Sequence, residues 1–335
     1  MNEKTFRAAA VQAAPVYMDT CASIEKAITL IEAAAGNNAS LIAFGEAWIP
    51  GYPFWVWLDG AMKNMPRFAA YQASSIEVDG PEMGRIRDAA AANNIFVSMG
   101  FSERSGGSLY LAQALIDDHG TLVQGRRKLK PTMAERMVYG EGYGNDLIVQ
   151  ETSLGRAGSL CCWEHLQPLT RYALYSQQEQ IHIAGWPSFG LDTGMVHALG
   201  HEVSNAISQV YAVEGQCYVI APTSIIDDAT VDYIADSTGG TEPFRTGGGF
   251  SMIYGPDGRP LNERLPEHEE GIVYAEIDLA ACQAAKLVAD PVGHYARPDV
   301  TRLLWNPQPA PCVTIDDEPI VEGTGHENDD QPESN

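Results

Sequence analysis

Residues 157–169, AGSLCCWEHLQPL, decide how this chain is to be read. Residues 157–160 form a short apolar run that fits a buried strand. Two cysteines, a tryptophan and a Glu-His pair follow at once. Successive strand side chains face opposite ways, so Cys161 and Cys162 diverge. Cys161 reads as a small core residue and Cys162 as a group at the strand's end. The same pattern occurs twice upstream: Glu46 follows LIAF, and Lys128 follows TLVQGRR. Side chains at strand ends collect along one edge of an α/β sheet, where crevices form. A carboxylate, an ammonium and a thiol gathered there make a nucleophilic site. The carboxylate takes the thiol proton, and the ammonium favours thiolate and later stabilises negative charge. Each member also has a plainer reading: Cys162 as core filler, Glu46 as a solvated strand end, Lys128 as part of a basic surface.

Outward from this segment, strand and helix signals alternate. Residues 7–12 read as a buried strand and 23–35 as a helix, with Ile24, Ile28 and Ile31 at helical spacing and Gly36 past its end. Residues 40–44 are a second apolar run, followed by Gly45-Glu46 and the aromatic loop AWIPGYPFWVW. Residues 83–92 read as a helix. Residues 95–101, 110–116 and 121–125 read as strands, the last two joined by the turn DDHG. Strands are expected at 147–150, 157–160, 181–184, 217–221, 250–254 and 272–277, and helices at 169–176 and 197–213. Residues 227–249 read as loop. The alternation suggests helices covering the faces of sheets, without saying whether those sheets are parallel or mixed.

Size and composition narrow the classes. A chain of 335 residues, 45% hydrophobic, can bury a sizeable core in one or two domains. Its formal net charge of −23 repels nucleic acid and anionic membranes, so neither is an expected partner. That charge also favours an uncharged or cationic small substrate. No apolar run approaches the roughly 18 residues of a membrane span, and no signal peptide is apparent. The six cysteines show neither disulfide-framework spacing nor a CxxC pair, which fits a reduced, cytoplasmic setting. After Pro311 there are eight carboxylates and no Lys or Arg. Residues 1–312 are therefore expected as one domain and 313–335 as an acidic, disordered tail.

At GSLCCWEHLQPL the sequence resembles the cysteine-nucleophile segment of the nitrilase superfamily, and its nitrilase branch in particular. The resemblance recurs in order. FRAAAVQAAPV is similar to the opening strand, LIAFGEAWIPGYP to the glutamate segment and RRKLKPTMAERMVYGEG to the lysine segment. YGPDGRPL and DPVGHYARPDV are similar to the closing strand and C-terminal segment. This implies a four-layer αββα sandwich that pairs into αββα-αββα homodimers and assembles into larger homo-oligomers or spirals. It implies no metal and no organic cofactor. It assigns Cys162 as nucleophile, Glu46 as general base and Lys128 as charge stabiliser. Glu135 would orient substrate and lysine, and the Trp163 N–H would hold developing negative charge. The implied activity is hydrolysis of an organic nitrile to a carboxylic acid and ammonia through a Cys162 thioimidate and thioester. An amidase or cyanide-hydrolysing member of the same superfamily is the nearer alternative, and a non-catalytic assembly protein the remote one. Two positions depart from the pattern. Gly45 stands where the family usually has proline, which suggests a looser glutamate loop. Met133 stands where it often has His or Tyr.

Other residues divide between two readings. His165, three residues past Cys162, is either a substrate contact or structural, and Glu164 pairs locally. Among Trp48, Tyr52, Phe54, Trp55 and Trp57, core packing or dimer contact is the first reading, with Tyr52 or Trp55 as candidate pocket walls; Trp186 is a similar candidate. His197 and His201 would share a helical face, but HExxH zinc spacing fails at Asn205. GEGYGND and RTGGGF match no nucleotide-binding fingerprint.

Overall fold

The computed structural model describes residues 5–191, 196–240, 244–310 and 313. Its strands, in chain order, are β1 (Thr5–Gln12), β2 (Ala39–Ala43), β3 (Phe96–Ser105), β4 (Ser108–Ile116), β5 (Leu122–Arg127), β6 (Tyr139–Gly140), β7 (Gln150–Thr152), β8 (Gly155–Cys161), β9 (Ile181–Gly185), β10 (Tyr218–Ala221), β11 (Met252–Tyr254) and β12 (Gly271–Asp278). The α-helices are α1 (Thr20–Gly36), α2 (Ala61–Ser74), α3 (Pro81–Asn93), α4 (Pro168–Tyr175), α5 (His201–Gly215), α6 (Asp228–Thr238) and α7 (Ala280–Ala285). One sheet runs β12-β1-β2-β3-β4-β5, with β6 added beside β4; the other runs β11-β10-β9-β8-β7. Both are mixed: β1-β2-β3, β8-β9-β10 and the β4-β6 pair are parallel, and the remaining pairs are antiparallel.

The layering follows from period-two alternation. On β1, Ala8 and Ala10 join a core shared with Ile181, Ile183 and Ile220 of the second sheet. Ala9 and Val11 point the other way, onto Ile24 and Ile31 of α1 and Met83 and Ile86 of α3. On the second sheet, Leu160, Ala184 and Val219 pack against Ala173 and Leu174 of α4 and Tyr211 of α5. Two sheets thus face each other with a helical layer outside each, the αββα sandwich that the resemblance implied.

Several local expectations need correction. The strand expected at 147–150 starts only at Gln150. A 3₁₀ turn at Gly144–Asp146 precedes it, and the Gln177 and Gln124 side chains take the ladder's place at Leu147, Ile148 and Val149. The helix expected at 197–213 begins at His201, N-capped by Gly200; His197 belongs to a separate 3₁₀ turn, so the two histidines share no helical face. The loop expected at 227–249 contains α6, whose start is capped by the Asp227 carboxylate on the Thr230 N–H at 2.8 Å, and whose end is Gly239 at φ 83°. Helices α2 and α7 were not anticipated. Apart from Val313, the expected acidic tail lies outside the described residues. Among the described residues no helix is long and apolar enough to cross a membrane.

The Glu46 loop is clamped rather than loosened by Gly45. A Cβ on Gly45 would lie 2.6 Å from the Trp186 carbonyl oxygen, and one on Gly100 only 2.0 Å from the Gly45 carbonyl oxygen. The Glu46 N–H donates to the Trp186 carbonyl at 3.0 Å, joining the end of β2 to the end of β9 across the sandwich. Glycine here allows close approach of backbones. Gly100→Ala should therefore push β3 away from this loop and cost roughly 1–3 kcal/mol, read as a lower denaturation midpoint. An unchanged midpoint would show that the loop yields freely.

Candidate active site

Each proposed reacting group sits just past a strand. Glu46 follows β2, Lys128 follows β5 and Cys162 follows β8. Cys162 opens a 3₁₀ turn, Cys162–Leu166, with φ at +46°. A non-glycine residue in the left-handed region is strained. Here it marks the abrupt change from strand to turn that separates the Cys162 side chain from the inward-facing Cys161. Cys162 lines a cavity with Glu135, Trp163, Tyr52 and Thr132.

Behind the cavity the charges are linked without water access. Lys128 Nζ donates to Glu46 Oε1 and Glu135 Oε2, both at 2.8 Å, and all three side chains are essentially inaccessible. Glu135 Oε2 also accepts from the Thr132 N–H at 2.6 Å, and Oε1 from the Tyr52 hydroxyl at 2.8 Å. Both Glu135 oxygens are thereby engaged. Glu46 differs: its Oε2 is buried and has no hydrogen-bond partner among the described residues.

The electrostatics follow from this placement. Burial raises the Glu46 carboxyl above its ordinary range; Lys128 opposes that rise and Glu135 adds to it. Burial works against the Lys128 ammonium, but Glu135 and Glu46 outweigh it and hold its pKa well above the usual value. Burial and then the Glu46 charge push the Cys162 thiol well up, against Lys128 and the Trp163 backbone N–H. The sulfur therefore rests as a thiol and needs a base, and the free oxygen of Glu46 can serve.

A second buried cluster holds the two halves of this site together. Arg126 forms a fork on Glu164, Nη1 to Oε2 at 2.9 Å and Nη2 to Oε1 at 2.8 Å. Glu164 also accepts from the Cys161 N–H at 2.7 Å and the Leu129 N–H at 2.8 Å. It thus binds the Cys162 turn to the chain on both sides of Lys128. Burial alone would raise the Glu164 carboxyl, but Arg126 outweighs it and the net shift is downward. Sequence reasoning took Glu164 as a local pair and missed Arg126, whose place in RRKLK looked like surface. An arginine at the inward-facing end of an alternating strand was the available signal.

The remaining candidates separate clearly. Tyr52 lines the cavity, as do Phe54 and Trp57, while Trp48 and Trp55 are core. Trp163 lines it as well. Trp186 and His165 do not. Trp186 is buried, donates Nε1–H to Ser208 Oγ at 3.0 Å and stacks on the His165 ring. Both lie behind the Cys162 turn because their strand and turn direct them into the α4–α5 layer. The rest of the lining is largely apolar, with Phe189, Leu191, Leu199 and Phe244, interrupted by Ser188 and Ser204. Sequence reasoning did not single out these residues. Met133 is half exposed and outside the cavity. Among the described residues no group of three or more His, Cys, Asp or Glu side chains is placed to hold a metal.

The model of the carbon-nitrogen hydrolase family matches residues 7–287. This chain belongs to that family. It is 51% identical over 319 residues to a nitrilase of Pseudomonas syringae pv. syringae (strain B728a), covering 95% of each chain. It is 50% identical over 303 residues to an arylacetone-specific nitrilase of Alcaligenes faecalis, covering 90% of this chain and 85% of that one. Its fold is similar to a solved carbon-nitrogen hydrolase from Helicobacter pylori G27 (TM-score 0.71, 18% identity, 88% of this chain and 96% of that one). The likeness to nitrilases extends beyond the cysteine turn to nearly the whole carbon-nitrogen hydrolase chain.

Arg126→Met should leave the Glu164 carboxylate buried and unpaired, costing roughly 3–5 kcal/mol. The double change Arg126→Met with Glu164→Leu should cost less, because no lone charge remains. Chemical denaturation checks the order; a double variant less stable than the single would overturn it.

Proposed function

We propose that this carbon-nitrogen hydrolase is a nitrilase that converts an uncharged organic nitrile with an apolar R group to its carboxylic acid and ammonia. One observation carries the mechanism: the buried oxygen of Glu46 that has no hydrogen-bond partner among the described residues, on a carboxylate whose charge helps burial keep the Cys162 thiol protonated. Glu46 takes the thiol proton as Cys162 sulfur adds to the nitrile carbon, and returns it to nitrogen, giving a thioimidate. Glu46 then draws a proton from water as its oxygen adds to the same carbon. The tetrahedral intermediate lies against Lys128 and the Trp163 N–H. Glu46 returns that proton to nitrogen, the new hydroxyl gives its own proton to the same nitrogen, and ammonia leaves, so a thioester remains. A second water, activated by Glu46, releases the acid and restores the thiol. If sulfur leaves the tetrahedral carbon first, the product is an amide.

High identity to two nitrilases supports a nitrile over the amidase or cyanide alternatives. The largely apolar lining supports an apolar R group. We further propose one catalytic domain that works as a homodimer or larger homo-oligomer. Leu166 and Val210, exposed beside one groove near α4 and α5, support an assembled state. A reducing cytoplasmic setting is supported by five unpaired cysteines among the described residues.

Cys162→Ala should abolish ammonia release from phenylacetonitrile or an aliphatic dinitrile with the fold intact, whereas Cys161→Ala should cost little. Release from cyanide or a simple amide alone would sink the nitrile reading. Glu46→Gln should lower the rate by roughly 10²–10⁴. Only ionised Glu46 accepts a proton, and burial raises its pKa. The rate should therefore climb with pH along a limb displaced upward from the ordinary carboxylate range. A limb at the ordinary position would remove Glu46 as the base.

A further inference from the structure

Behind the nucleophile turn runs a chain of buried polar side chains that the reaction above does not use. His165 Nδ1 lies 2.6 Å from the Cys162 carbonyl oxygen, and His165 Nε2 lies 2.8 Å from His182 Nε2. His182 Nδ1 lies 2.8 Å from Glu179 Oε1, and the Tyr211 hydroxyl donates to Glu179 Oε2 at 2.6 Å. All four residues are at most 2% exposed. The chain is packed on both sides: His165 stacks on Trp186, and His182 on Tyr211 with ring centroids 3.8 Å apart. Gly158, paired with His182 across β8 and β9, makes room for it, since a Cβ there would meet Glu179 Oε1 at 2.1 Å.

The hydrogens along this chain can be assigned from its far end. A carbonyl oxygen only accepts, so His165 Nδ1 carries a hydrogen. In neutral His165, Nε2 then accepts, which makes His182 Nε2 the donor. In neutral His182, Nδ1 accepts in turn, and the hydrogen between it and Glu179 belongs to the carboxyl. Burial supports this neutral arrangement: it holds both histidines well below their usual pKa and pushes Glu179 up to about 8, against the Tyr211 hydrogen bond. Each donor then meets one acceptor, and no net charge is buried.

The recipient of this chain is the Cys162 carbonyl, which shares its peptide unit with the Trp163 N–H. A hydrogen bond to the oxygen of a peptide draws electron density through the conjugated unit and strengthens its N–H as a donor. We propose that His165 is a positioning residue: by donating to the Cys162 carbonyl it fixes and polarises the Cys162–Trp163 peptide, and the His182–Glu179–Tyr211 chain holds His165 in the donating tautomer. This rests on the reading of the Trp163 N–H as the donor that meets developing negative charge. It deepens that reading by giving the donor a support inside the protein.

The test compares two reactions of one sulfur. Acylation by p-nitrophenyl acetate adds thiolate to a carbonyl, passes through an oxyanion and expels p-nitrophenolate to leave a thioester. Methyl methanethiosulfonate transfers its methylthio group to the thiolate with loss of methanesulfinate, and no oxyanion forms. Both are followed on the Cys162 peptide by mass spectrometry, beside nitrile turnover. His165→Leu should slow acylation and turnover by roughly ten- to a hundredfold, less than losing an oxyanion donor outright. KM and the methylthiolation rate should stay unchanged. His165→Asn, whose amide can donate to the same carbonyl, should recover most of the loss. Equal slowing of both sulfur reactions, or no rescue by Asn, would overturn the proposal in favour of a merely structural histidine.

Should His165→Leu fail to fold, the Glu179 pair decides. Glu179→Gln keeps a donor toward His182 and should behave as the parent, while Glu179→Leu should lose acylation but keep methylthiolation. Equal acylation rates in both would overturn the relay. A parent enzyme that is acylated by the ester but turns over no nitrile would refute the nitrilase reading and leave this one standing.

Discussion

The guanidinium of Arg126, almost wholly removed from water, grips the Glu164 carboxylate through two parallel hydrogen bonds, and the site's geometry depends on that pair. Removing two such charges from solvent costs several kcal/mol each, recovered only if nearly every donor and acceptor is met. Here they are met largely by the backbone next to Cys162 and Lys128. Glu164 accepts from Cys161 and Leu129, and Arg126 Nε donates to the Asp146 carbonyl at 3.1 Å. A shift of β5 against β8 would break several charge-assisted bonds together. The pair fixes register between the edge strand of one sheet and an inner strand of the other.

Lys128 inherits its position from that arrangement. One ammonium lies between two carboxylates, so the cluster carries one more negative charge than positive when both glutamates are ionised. Burial makes that excess costly, which is why the Glu46 carboxyl holds its proton more tightly than usual. The two glutamates are divided by their neighbours. Glu135 spends its oxygens on Lys128, Thr132 and Tyr52, whereas Glu46 keeps one oxygen free. Two identical side chains, one cation apart, are thus suited to different tasks.

The strands at residues 7–12, 157–160 and 181–184 were legible because a short apolar run needs no information from elsewhere in the chain, whereas the four-layer sandwich came from the resemblance. The strand-end positions of Glu46, Lys128 and Cys162 were legible for the same reason, but the resemblance to known segments was needed to give them roles. What escaped the sequence reading depends on distant partners. Arg126 counts as basic surface until Glu164 is set beside it. Trp186 reads as a pocket wall until His165 is found stacked upon it. The strand expected at 147–150 fails because glutamine side chains occupy the positions where a neighbour would pair. Helix α6 is a different failure: Asp227 and Gly239 marked its ends, but the glycine-rich stretch beyond it dominated the reading.

The cavity is assembled from two kinds of backbone. The charged end hangs from strand termini locked into both sheets, while Leu191 and Phe244 of the apolar end face each other across a single bridge between loops. Loops accept substitution and changes of length more readily than sheet edges. Descendants of this scaffold could exchange the apolar end for another shape while the sulfur, carboxylate and ammonium stay in register. Selectivity for the molecule admitted and competence to break its bond are thereby free to evolve at different speeds.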